Sequence, residues 1–544
     1  MVRLVDGKDT SSDVLAGLPY VTLSYRWSST EDQVQQRLML TKATEQRLRH
    51  GFRFHDLPAT LRDACIVVQN IGYPYLWIDR LCIVQDSFED WAAEAGSMAQ
   101  IYNNAHLNIH ASCASDEDAG FLRSRTLIRA GIQPLRVRSV ARSRGLQQMR
   151  PVYGNTSPDN AGRLLEHHTG TGNDVVFTPR LVFGDADETR GKLGHLAARG
   201  WIFQERKFSR RKIFFSGEIV HWECNEVRAD EIEYGGSKIR RIEARSGSPR
   251  HDWWRPSPWQ ELIQDYSGTK LTFRRDKLWA IAGLARETRA GTRAGIHDER
   301  YYAGLWRSTF IADLTWTYQD HRHFRSEYCG AYVAPSWSWA SAHGRVRWHL
   351  KLHPDYVVEH ASVKDVQLEY AEPGDVYGAV NDGRLVLEGT PRPLKLSRGR
   401  SRFDPSDAEW TLPDEEEASR HFDQHIDVVV DHPCLTALIG VAPDTQESLP
   451  LFCLPLFSEC RASADRSIGG EFCCLLLAPN GTVRCQDPSN GSSTRIQKSA
   501  TGAEGQWPEV FQLVGFAVLN TSQDLDRVYS GWASKYPVRE VVIR

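Results

Sequence analysis

At 544 residues the chain is too long for one hydrophobic core, so two or more domains are expected. Its 41% hydrophobic and 25% charged residues are those of an ordinary globular protein, and a net charge of −3 gives no electrostatic footprint for nucleic acid or an anionic membrane. No apolar run approaches the ~20 residues of a membrane helix, and the opening MVRLVDGKDTSS lacks the apolar segment of a signal peptide, which predicts a cytoplasmic protein.

Cys65, Cys82 and Cys113, three of eleven cysteines, lie in apolar segments and read as reduced core residues. No CxxC pair is present, which argues against a zinc ribbon, and no metal is expected. The seventeen tryptophans, grouped at Trp253, Trp254 and Trp259 and again at Trp337 and Trp339, point to aromatic packing rather than a ligand cage.

In chain order, Tyr20 to Trp27 is a β-rich run and the first predicted strand. A charged stretch from Glu31 to about His50 reads as helical. Leu57-Pro58-Ala59-Thr60 opens the next helix, with Leu61, Ala64, Cys65, Val68 and Ile71 at helical spacing and Gly72 and Pro74 as the stop. Tyr75-Leu76-Trp77-Ile78 is a short apolar run, as of a strand covered on both faces, and Asp79 stands at its carboxyl end. Ser87, three residues before Asp90, predicts a helix cap. Trp91, Ala95, Met98 and Tyr102 then form one apolar stripe, and another strand ends near Ser112. Glu94 lies on the flank of that stripe. A carboxylate there is paired, neutralised or used.

This alternation predicts a parallel sheet with helices on its faces, and such sheets bind ligands beyond the carboxyl ends of their strands. Tyr25, Trp27 and Asp79 lie at such ends, and Glu94 is in the helix leaving the second. Residues from about 123 to 195 read as an insertion. Its Gly170-Thr171-Gly172 lacks the third glycine of a dinucleotide loop. Arg199, Gln204 and Glu205 are polar residues inside an apolar segment, either a helix cap with an internal ion pair or part of the same site. Lys212 to Phe215 and Ile219 to Cys224 read as a β-hairpin. Trp253 to about Asp320 reads as mostly helical, Ala334 to Ser341 as an aromatic strand or turn, and the rest as antiparallel β with loops at 400–420 and 486–505.

Three blocks carry a family resemblance. Leu23-Ser24-Tyr25-Arg26-Trp27, the run Leu76-Trp77-Ile78-Asp79-Arg80-Leu81-Cys82-Ile83-Val84-Gln85-Asp86 with Asp90-Trp91 through Ala105, and Arg199-Gly200-Trp201-Ile202-Phe203-Gln204-Glu205 resemble the HET domain of fungal heterokaryon-incompatibility proteins, over about residues 18–225. Tyr266-Ser267-Gly268 to Leu278 and Ala334 to Ser341 resemble later segments of long HET proteins. Ser28 stands where the family usually has Gly, and Arg80 where a small residue is commoner.

The resemblance implies an α/β fold. It predicts a TIR-like, flavodoxin-like parallel sheet flanked by helices, with an added β-hairpin, a helical middle and a mainly antiparallel β C-terminal region. The implied domains are 1–230 (HET, with the insertion), 231–345 (helical connection) and 346–544 (β-rich). It also implies a role in triggering cell death on fusion of unlike hyphae. HET domains are linked by remote similarity to TIR domains, which cleave the nicotinamide–ribose bond of NAD with one helix-borne Glu, often three residues after a Trp. Trp91-Ala92-Ala93-Glu94 fits that spacing. Glu94 is then the catalytic carboxylate, and Ser24, Tyr25, Trp27, Asp79, Ser87, Trp91, Arg199, Gln204 and Glu205 the binding set. NAD enters as substrate and not as a resident cofactor, and self-association or an incompatible allele product is the expected partner. Two alternatives stay open: a non-enzymatic signalling module with Glu94 in a structural ion pair, and a different nucleotide or sugar hydrolase on the same sheet.

Overall fold

The computed structural model describes residues 2–5, 19–27, 38–123, 135–138, 165–167, 174–178, 194–196, 198–217, 219–230, 237–238, 257–291, 299–319, 332–348, 357–397, 409–411, 426–430, 451–462, 468–480, 508–521 and 525–544. The chain divides into two units, Met1–Ala244 and Arg245–Arg544.

In the first unit, β1 (Tyr20–Ser24) is followed by α1 (Glu45–His50), α2 (Ala59–Asn70), β2 (Tyr75–Trp77), the single turn α3 (Asp79–Cys82), α4 (Phe88–Asn104) and β3 (Leu107–His110). Within the insertion, β4 (Leu135–Arg138), β5 (Leu165–His167) and β6 (Asp174–Thr178) form a separate antiparallel sheet in the order β4-β6-β5. Then come α5 (Gly200–Phe208), β7 (Arg211–Phe215), β8 (Val220–Cys224), β9 (Val227–Asp230) and β10 (Ser237–Lys238). The main sheet runs β2-β1-β3-β7-β8-β9-β10. Its first four strands are parallel and the rest antiparallel.

Strand alternation sorts the residues of this sheet onto two unlike faces. Val21, Leu23 and Ile109 join Leu61, Ala64 and Val68 of α2 in one apolar core. Thr22, Ser24, Asn108, His110 and Lys212 occupy the alternate positions, and all are buried. Phe214 on that side packs with Ile202 of α5, and the rings of Trp91 and Trp201 meet edge to face, tying α4 to α5. The sheet is therefore covered on both sides, but one of its faces is polar.

Several expectations are corrected. β2 has neighbours on both faces, Leu76 against the apolar core and Trp77 against α4, but it is less buried than expected. Among the described residues it is the edge strand, paired with β1 alone, and is half-buried along its length. Its apolar run survives because Trp77 packs against Tyr102, 5.6 Å between ring centroids. Of the helical stretch expected from Glu31 to about His50, residues 31–37 lie outside the described residues, residues 38–44 are not helical and include a turn closed by Thr41 and Thr44, and the helix runs from Glu45 to His50. Gly170 to Gly172 and Ser28 lie outside the described residues.

In the second unit, α6 (Pro258–Ser267) and α7 (Trp279–Gly291) are the expected helices. The helical pattern then fails. β11 (Tyr301–Tyr302), β12 (Leu305–Trp306) and β13 (Trp316–Tyr318) follow, with a 3-10 turn at Arg307–Thr309 and the single turn α8 (Phe310–Asp313) before β13. Ala303 and Gly304 both have positive φ, at 45° and 106°, which closes the β11–β12 hairpin in two residues and breaks any helix. β14 (Val346–Trp348) pairs β13. Trp259, Trp306, Trp337 and Trp339 are all buried, as packing residues should be.

The remaining chain supplies β15 (Val357–Glu359), β16 (Ser362–Tyr370), β17 (Val380–Gly389), β18 (Arg392–Ser397), β19 (Glu409–Thr411), β20 (Ile426–Val430), β21 (Leu451–Ala462), β22 (Ile468–Pro479), β23 (Phe511–Thr521), α9 (Leu525–Lys535) and β24 (Arg539–Ile543). The ten strands form a mainly antiparallel sheet, as expected, with β16-β17-β24-β23-β22-β21-β18-β19 along its path. Helix α9 is an addition to the expected pattern; it buries Val528 and Trp532, four apart on one face.

Candidate functional site

The carboxyl ends of β1 and β2 bring two acids together. Asp79 begins α3 just past β2 and is half-buried. Its Oδ1 accepts the backbone N–H of Arg80 at 2.7 Å, and its Oδ2 accepts Trp27 Nε1 at 3.0 Å. Tyr25, itself buried, also faces this carboxylate. Burial raises the Asp79 pKa above the usual carboxylate range, against the pull of the Arg80 N–H, the Arg199 charge, Trp27 and Tyr25.

Glu205 lies behind, 4% exposed. Its Oε2 accepts the hydroxyl of Ser24, which ends β1, and the Tyr102 hydroxyl of α4 also bonds it. Burial pushes its carboxyl up to about 7; the Asp79 charge pushes the same way, while Ser24, Tyr102 and Arg199 pull it down. Arg199 sits at the N-cap position of α5 and acts on both acids.

The network continues into the sheet. Asn108 Nδ2 donates to Ser24 Oγ and to Ser209 Oγ, both at 3.0 Å, and lies 3.2 Å from His110 Nε2. Ser209 donates back to the Glu205 carbonyl at 2.7 Å. Burial, helped by the charges of Lys212 and Arg206, holds His110 well below its ordinary pKa, so it is neutral at physiological pH. Ser24, Asn108, His110 and Ser209 thus form a connected hydrogen-bond system that ends at Glu205.

A second buried system backs Asp79. Arg80 and Glu117, 1% and 0% exposed, form an ion pair at 2.9 Å. The Arg80 guanidinium also lies over the Trp27 ring, 5.3 Å from its centroid. The arginine that departs from the family pattern is therefore a packed, charge-compensated residue that fixes Trp27 and the start of α3.

Residues 20–205 match the family model described as heterokaryon incompatibility protein (HET). The chain carries a HET domain. No curated protein and no solved structure matched the chain. The match begins at β1 and ends at Glu205, so it encloses every expected site residue and ties this unit to heterokaryon incompatibility.

Of those residues, the HET domain joins Ser24, Tyr25, Trp27, Asp79, Arg199 and Glu205 into one cluster. Gln204 is buried beside Glu205. Ser87 is used by its own helix: it accepts from the Asp90 N–H at 3.5 Å and donates to Glu89 at 2.8 Å. Trp91 is half-buried between Phe88 and Trp201. Glu94 is half-buried on α4, and its charge, like that of Asp79, reaches the Cys82 thiol, whose pKa burial drives to about 12. The HET domain also recruits Asn108, His110, Ser209 and Glu117, which the sequence did not single out, and Tyr102, which it marked only as part of an apolar stripe. The available signal was alternation: Asn108 and His110 alternate with Leu107 and Ile109 along the strand that follows α4. Among the described residues, no His, Cys, Asp and Glu group could hold a metal ion, and no helix is long and apolar enough to cross a membrane.

Proposed function

We propose that this HET domain is a cell-death effector that hydrolyses the N-glycosidic bond of NAD. The observation that carries this reading is the half-buried Asp79 carboxylate at the carboxyl ends of β1 and β2, held by Trp27 and backed by Glu205 and Arg199. This is where sheets of this type bind nucleotides. Glu94 stabilises the ribosyl cation as nicotinamide leaves with the C–N electron pair, a role carboxylates serve in glycoside hydrolysis. Trp27 and Tyr25 flank the bound dinucleotide. Self-association, or contact with an incompatible allele product, brings the site to its active form in the cytoplasm.

The test is NAD consumption by the purified chain at high concentration, wild type beside Glu94→Gln. Turnover in the wild type, lost in the variant with its circular dichroism unchanged, is the expected result. Equal turnover in both removes Glu94 from the mechanism.

One observation favours a second reading. Ser24, Asn108, Ser209 and Glu205 satisfy one another within the fold, as a structural polar core does. In that case the HET domain is a non-enzymatic signalling module. Wild-type protein that assembles without consuming NAD, and a Glu94→Gln variant that assembles equally well, would establish it.

A further inference from the structure

A single glutamate explains how the nicotinamide bond breaks but not how water is delivered to the ribosyl cation. We infer that Asp79 takes the proton from that water, and that Glu205 is a positioning residue that sets the charge beside it. This rests on the NAD-hydrolysis reading above.

The geometry separates the two acids. Asp79 is half-buried, with both oxygens oriented by donors, Arg80 N–H on one and Trp27 Nε1 on the other. Tyr25 faces the carboxylate as well, which leaves about one of its roughly four lone-pair sites for a water. Glu205 is enclosed, and its Oε2 is engaged by Ser24. The groups facing Glu205 come from every element around it: Ser24 from β1, Asp79 from α3, Tyr102 from α4 and Arg199 from the start of α5. Asn108 of β3 stands behind Ser24. Two neighbouring carboxylates that share the charge of one arginine do not both ionise freely. Burial places the Glu205 titration near neutral pH, at about 7. Below that, Glu205 is neutral and puts no second charge beside Asp79. Above it, the second negative charge raises the proton affinity of Asp79 and makes it a stronger base.

The step balances. The C1′–N bond breaks, and its electron pair goes to the pyridinium nitrogen, giving neutral nicotinamide. Water adds through oxygen to C1′, and its proton passes to Asp79 and then to solvent. The products are ADP-ribose, nicotinamide and one proton. A pyridine base can return to the same cation instead of water, and that route needs no proton acceptor.

This difference supplies the experiment. The full chain is given NAD and 3-acetylpyridine, and ADP-ribose and the exchanged dinucleotide are measured together. Asp79→Asn should lower ADP-ribose release about 10²–10⁴-fold, the range for a lost general base, while exchange persists. Persistent exchange also shows that the variant is folded. In the wild type the ratio of hydrolysis to exchange should rise as pH passes through the Glu205 titration, and Glu205→Gln should flatten that rise. Hydrolysis in heavy water should be slowed in the wild type more than exchange is, a readout that needs no variant. A ratio unchanged by Asp79→Asn, or an unchanged pH profile in Glu205→Gln, overturns the inference and leaves the NAD reading intact. A wild type that neither hydrolyses nor exchanges overturns both.

Discussion

Ser24 donates its hydroxyl to the Glu205 carboxylate across 181 residues of sequence, and both groups are buried. The bond joins the first strand of the HET domain to the last residue of its family match. Ser24→Ala removes the donor and leaves a buried acceptor with fewer partners. The expected cost is about 1–3 kcal/mol, read as a lowered unfolding midpoint. Ser24 also lowers the Glu205 pKa, so the variant should titrate Glu205 at higher pH, which carboxylate NMR would show.

Stability should depend on pH through Glu205. Its folded pKa is raised to about 7 from an ordinary value of 4.5, so the folded state binds the proton more tightly than the unfolded chain. The sign follows from linkage. Between about 4.5 and 7 the folded state holds more protons, so this group's contribution falls as pH rises through that window and levels off above it. Each pKa unit corresponds to about 1.4 kcal/mol. Glu205→Gln should flatten this part of the stability profile, measured by chemical denaturation across pH.

Arg80→Met would strand Glu117 as a buried charge without its partner. Breaking such a pair costs about 3–5 kcal/mol, and it also frees the Trp27 ring. The double variant Arg80→Met, Glu117→Leu should recover most of that loss, because an apolar pair of similar size needs no compensation. A double-mutant cycle on unfolding free energies measures this directly. No recovery would mean that the pair stabilises the fold beyond what an apolar pair of similar size can replace.

In the second unit, the Gly304 carbonyl accepts both Trp259 Nε1 and Trp339 Nε1, at 2.9 and 3.0 Å. Gly304 has φ 106°, and an added Cβ would stand 2.3 Å from Trp339 Nε1. Gly304→Ala meets backbone strain and a clash with a buried indole together, each of order 1–3 kcal/mol. It should disturb the tryptophan fluorescence of the folded protein, whereas Gly217→Ala, which has open space, should not.

The sequence carried much of the fold. Helices α2 and α4 announce themselves because their apolar residues recur at helical spacing and Ser87 and Pro58 mark their starts. The β7–β8 hairpin and the antiparallel second unit are legible for the same local reason. The β11–β12 hairpin was not, because its turn is the two residues Ala303 and Gly304, both at positive φ, and alanine rarely announces that conformation. The edge position of β2 was equally hidden, since an apolar run does not state how many strands flank it.

The site divides along the same line. The sequence alone marked Trp27, Asp79, Arg199 and Glu205 as polar or aromatic residues set in apolar surroundings, and the motif blocks tied them to one domain. Only the tertiary structure decided their relations. It joined Glu205 to Ser24, gave Asp79 the more open position, assigned Ser87 to a helix cap and paired Arg80 with Glu117. Spacing along the chain fixes which face of a helix or strand a residue occupies. Which residues from different elements then meet, and which of two acids is denied water, depends on strand order and on how the helices cover the sheet.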